Sequence, residues 1–102
     1  MVDGARSVVR VEHEVADYEI WKREGFDRDP LGRAESGVRC WRVLRAGDDP
    51  RLVAIELEFD GVPAAEAFVE ALGEMWRRVG DRFGWREPPQ ARIFELVATE
   101  EY

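Results

Sequence analysis

At 102 residues the chain has room for one modest hydrophobic core and not for two, so residues 1–102 are expected to form a single domain. Its 45% hydrophobic share, with four Trp, excludes a disordered chain, and a net charge of −7 argues against nucleic acid or an anionic membrane surface as partner. Cys40 stands alone, which rules out an internal disulfide and suits a reducing cytoplasm; no stretch reads as a leader or is apolar for long enough to cross a bilayer.

From Ser7 to Val15 the residues alternate, with Val9, Val11, His13 and Val15 on one side and Arg10, Glu12 and Glu14 on the other. Period-two alternation with β-branched residues predicts a half-buried strand. Asp17 then suits a helix N-cap, and "YEIWKREGFDR" sets Tyr18, Trp21 and Gly25 along one stripe before Pro30 and Gly32 end the helix. A loop, "DPLGRAESG", leads to a second strand, "VRCWRVLRA", in which Val38, Cys40, Arg42 and Leu44 form one set and Arg39, Trp41, Val43 and Arg45 the other. Nothing in the pattern decides which set is inward.

The turn "GDDP" closes a hairpin onto "RLVAIELEFD", where Val53, Ile55, Leu57 and Phe59 share a face. Asp60 is the expected cap of the next helix, Pro63 fits its first turn, and Gly80 is the expected stop. Between them Phe68, Leu72, Met75, Trp76 and Val79 recur at helical spacing. The segment "DRFGWREPPQ" is a connector or, with Trp85, a lid, and "ARIFELVAT" is the last strand.

The predicted order is β-α-β-β-α-β, the ferredoxin-like α+β arrangement, with a four-stranded antiparallel sheet and both helices on one face. The first and third strands should be central. The other face is expected to carry Val8, Arg10, Glu12, Glu14, Ala54, Glu56, Glu58, Ile93, Glu95 and Val97. Leaving Trp41, Ile93 and Val97 wet costs roughly 1.5–3 kcal/mol each, which tips the expectation toward a homodimer.

The block His13, Val15, Asp17, Tyr18, Trp21, Lys22, followed by "WRVLRAGDDPRLVAIELEFDGVPAAEAFVEAL" and "PPQARIFEL", resembles the dimeric α/β-barrel superfamily over almost the whole chain. Within it the likeness is to uncharacterised bacterial proteins grouped with antibiotic-biosynthesis monooxygenases and polyketide cyclases. The resemblance implies that two sheets form a shared barrel and that each subunit holds an apolar pocket for an aromatic or polyketide-like molecule. It also implies oxygenation or cyclisation without a cofactor. The chain departs from the oxygenases and haem-degrading members in having no Asn, and His13 with Tyr18 imitates the cyclases' Tyr–His pair only loosely.

His13 is the candidate base or hydrogen-bonding group, because a neutral imidazole in an apolar cavity can take a proton from a phenol or an enolisable ketone. A core histidine bonded to backbone is the competing reading. Tyr18, Trp21, Phe68 and Trp76 are candidate pocket walls that helical spacing equally explains as packing, and Arg42 is a candidate anion partner if it faces inward. One His, one Cys and scattered carboxylates give no metal-ligand spacing, and no cofactor is expected. A non-catalytic dimeric binding module is the alternative function.

Overall fold

A computed structural model of the chain describes residues 6–83 and 89–102. In chain order the elements are β1 (Ser7–Glu14), α1 (Tyr18–Trp21), one π turn (Lys22–Phe26), β2 (Val38–Ala46), β3 (Asp49–Phe59), α2 (Val62–Phe83) and β4 (Gln90–Glu95). Among the described residues the strands form one antiparallel sheet of order β2-β3-β1-β4, so the first and third strands are central as the ferredoxin-like order requires.

Alternation in β1 sets the two faces. Ser7, Val9, Val11 and His13 are buried, and antiparallel pairing puts them opposite Phe59, Leu57, Ile55 and Val53. Against this surface pack Ala65 and Phe68 of α2 and Phe26 of the π turn, with Trp21, Leu72 and Trp76 around them. Asp17 caps α1, its carboxylate accepting from the Ile20 amide at 3.0 Å. Gly80 does not stop α2, which continues to Phe83; an interior glycine costs a helix about 1 kcal/mol but blocks no hydrogen bond. The helix begins at Val62, so Gly61 and not Asp60 flanks it, and the Asp60 carboxylate lies 3.6 Å from Arg39.

Pairing decides the facing of β2, which the sequence left open, and reverses the facing expected of β4. The register of β2 shifts between Val38 and Cys40, and this bulge turns both Val38 and Trp41 toward the helices. Trp41 therefore meets Phe26, ring centres 4.8 Å apart, while Cys40, Arg42 and Leu44 share the open face. In β4, Ile93 pairs with Val9 and Glu95 with Ser7, so both lie on the helix side; Phe94, opposite Val8, and Arg92, opposite Arg10, are the open-face residues. An edge strand with apolar residues in both sets leaves its facing to the register.

The open face carries a chain of ion pairs. Arg6 reaches Glu58 (3.0 Å), Arg42 bridges Glu58 (3.2 Å) and Glu56 (2.8 Å), and Arg10 joins Glu56 to Glu12. The Arg6 hydrogen bond above all holds the Glu58 carboxyl below its usual range, with Cys40 and Arg42 adding to it against the opposing effect of burial.

Stability should reside in the helix-side core. Urea unfolding at pH 7 is expected to show Phe59→Ala, at a fully buried position, losing about 3–5 kcal/mol, whereas Arg23→Ala, on the exposed side of the π turn, loses less than about 1 kcal/mol.

Candidate functional site

The helices do not close fully on the sheet. Between them lies a cavity of about 370 Å³. Its floor is Val11, His13, Ile55 and Leu57 of the two central strands, with Trp21 and Phe26 from α1 and the π turn on one side. Phe68, Leu72, Met75, Trp76 and Val79 of α2 face them, one turn after another, because positions three and four apart share a helix face. Replacing a regular helical turn with the π turn after Trp21 keeps both Trp21 and Phe26 on the cavity side, their rings 5.6 Å apart.

His13 is 9% exposed and ends the buried row of β1. Its ring meets Trp21 edge-on at 5.6 Å. Burial lowers the imidazole's pKa from 6.5 to about 4, so at neutral pH the ring is uncharged, with one nitrogen donating and the other accepting. Glu12 and Glu14 point to the other face, as alternation demands.

Of the residues expected at the pocket, His13, Trp21, Phe68 and Trp76 come together around one space. Tyr18 does not join them. Its ring lies against Trp21 at 5.9 Å and under the Arg45 guanidinium at 5.0 Å, outside the lining, so the structure assembles no Tyr18–His13 pair at the cavity. Arg42 is also elsewhere, tied to Glu56 and Glu58 on the open face, because its pairing with Glu56 of β3 fixes its side. The lid expected at Trp85 falls outside the described residues. Among the described residues no His, Cys, Asp and Glu cluster could hold a metal ion.

Sequence reading missed the loop after the π turn. Pro30, Leu31 and Arg33 line the cavity, and Arg33 folds back so that its guanidinium carbon sits 3.9 Å over the Phe26 ring. Pro30 and Gly32 signalled a turn, but nothing in their spacing says that the turn returns to the core.

No protein-family model and no curated protein matches the sequence. Solved structures do resemble the fold. A protein of unknown function from Nitrosomonas europaea superposes with a TM-score of 0.67 at 19% identity, covering 99% of this chain and 98% of its own. A protein from Bordetella bronchiseptica described as "Putative antibiotic biosynthesis monooxygenase" gives 0.67 at 18% identity, over 94% and 100%. A dimeric ferredoxin-like protein from an uncultured marine organism gives 0.64 at 9%, over 96% and 99%. The chain has the ferredoxin-like fold of these proteins. At such identities the likeness establishes the fold alone.

Burial of His13 has a consequence for stability. The unfolded chain takes up a proton near pH 6.5 that the folded chain refuses until about pH 4, so stability is full above 6.5 and declines as pH falls between the two values. From pH 7 to pH 5 the loss through this residue should be about 2 kcal/mol. Glu58, held low, adds its own loss only as pH falls below 4.5. Urea titrations at pH 7 and pH 5 should show that loss in the native protein and its disappearance in His13→Gln.

Proposed function

We propose that this chain is a small-molecule-binding protein that works as a homodimer and takes an aromatic or polyketide-like molecule into the cavity beside His13. The observation that carries the reading is the cavity itself. Apolar walls from two strands and two helical segments surround one neutral, buried imidazole, and about 370 Å³ falls within the roughly 300–1,000 Å³ of small-molecule sites. Aromatic walls suit a flat ring system, and the imidazole supplies the directional contact, accepting from a ligand hydroxyl or donating to a carbonyl.

Chemistry follows if the ligand's proton is labile. An imidazole of pKa about 4 takes a proton from a phenol of pKa near 10 at a cost of about 8 kcal/mol. That fits within the roughly 17 kcal/mol barrier of a once-per-second reaction. The resulting anion is the species that attacks an internal carbonyl in a cyclisation or gives up electrons to oxygen in a cofactor-independent oxygenation. The neighbour described as a "Putative antibiotic biosynthesis monooxygenase" is consistent with the second course. Non-catalytic binding is the alternative, favoured by the absence of Asn from the chain and, among the described residues, of a second buried acid or base in the lining.

The partner face is the open side of the sheet. Leu44 and Phe94 are each about two-fifths exposed there, and the paired Arg and Glu side chains largely cancel one another's charge, which reduces the cost of covering them. A solved neighbour described as a dimeric ferredoxin-like protein supports that assembly, and the lone Cys40 on this face suits a cytoplasmic setting.

Trp21 and Trp76 in the wall make occupancy measurable. Titration with 1-naphthol should quench tryptophan fluorescence saturably, and Leu72→Trp, which fills the cavity, should weaken binding by at least about tenfold while circular dichroism stays native. Unchanged affinity in that variant contradicts the site. Light scattering should return twice the 11.8 kDa chain mass; a monomer at micromolar concentration contradicts the dimer.

A further inference from the structure

The lining of the cavity is charged opposite to the protein. Among the described residues Arg28, Arg33 and Arg78 stand on it against Glu24 and Asp29, an excess of one positive charge in a chain of net −7. Glu24 is matched by Arg28 at 2.7 Å and Asp29 lies 3.6 Å from Arg33, while Arg78 makes no ion pair among the described residues.

Arg33 is the unusual member. Its side chain is only 16% exposed, stacked on Phe26, and anchored by one hydrogen bond from Nη1 to the Phe26 carbonyl at 2.9 Å. Asp29 is already engaged by the Arg33 backbone amide at 2.8 Å, and its distance to Nε is beyond hydrogen-bond range. No hydrogen bond among the described residues uses Nη2. A guanidinium with spare donors, sheltered from water and fixed in direction, is suited to a carboxylate, which it can meet through two parallel hydrogen bonds.

The loop fixes that direction. Asp29 and Gly32 both adopt left-handed backbone (φ 51° and 62°), the Gly32 amide donates to the Asp29 carbonyl, and the Ser36 hydroxyl to the Leu31 carbonyl. At a φ of 62° a side chain on residue 32 would be strained, so the turn that aims Arg33 favours glycine there.

Building on the binding function proposed above, we infer that the cavity's ligand is an aromatic acid, its ring system against Trp21, Phe26 and Phe68 and its carboxylate held by Arg33, with Arg78 drawing the anion in.

Two probes of one shape separate the terms: 1-naphthoate, an anion, and its neutral methyl ester, each titrated by tryptophan quenching. Naphthoate should bind about tenfold more tightly than the ester, the preference shrinking in 0.5 M salt. Arg33→Gln should abolish the preference, and Arg33→Lys, which keeps the charge and the stem but not the fork, should retain part of it. Arg78→Gln should slow naphthoate association and flatten its salt dependence, with Arg77→Gln, outside the lining, as an unaltered control. Equal affinities for acid and ester, or a preference that survives both Arg33→Gln and Arg78→Gln, overturn the inference and leave the cavity function standing. Quenching by neither probe overturns both. If Arg33→Gln fails to fold, the Arg78→Gln and salt results decide.

Discussion

A β-strand has two faces, and the alternation of β1 obliges this protein to use them differently. Placed beside β3 in the register that sets Val9 against Leu57 and His13 against Val53, one face becomes a dry sheet for the helices and the other a lattice of Arg and Glu. A one-residue slip would exchange them, burying Arg10 and Glu12 and exposing the valines. The position of His13 in the dry row is therefore a consequence of register. Its lowered pKa, its contact with Trp21 and its place in the cavity floor all descend from that.

The cavity exists because the layers above the sheet are imperfectly filled. Among the described residues only Ala65 and Phe68 of α2 belong to the buried core cluster; Leu72, Met75, Trp76 and Val79 are only partly buried, so the later turns of the helix roof a space they do not occupy. Fully interdigitated packing would give more stability. The protein retains an apolar hollow with one polar group in its floor, which is the composition of a ligand site.

Much of this was legible in the sequence, for identifiable reasons. The faces of β1 and β3, the Asp17 cap and the inward stripe of α2 follow from short-range periodicity, which local residues fix by themselves. The errors fall where a distant partner decides. The facing of β2 was open in its pattern; pairing with β3 turns Trp41 in and Arg42 out, and a bulge at Arg39 moves Val38 to the side of Trp41. β4 carries apolar residues in both sets, so only pairing with β1 shows that Ile93 and Glu95 face the helices. Arg33 reaches the cavity through left-handed turns at Asp29 and Gly32, which those residue types tolerate, but nothing local to them says that the turn leads back to the core. Tyr18 has the right spacing but is screened from the cavity by Trp21.

Since the chain has one histidine, the Hε1 resonance of its imidazole belongs to a single residue and can be followed by its titration. An NMR pH titration of that signal in the folded protein, with and without 1-naphthol, addresses the cavity most directly. A midpoint near 4, with a signal displaced when the aromatic is added, is the result expected of a dry, occupiable site. A midpoint near 6.5 that naphthol leaves untouched would place His13 in water and contradict the account.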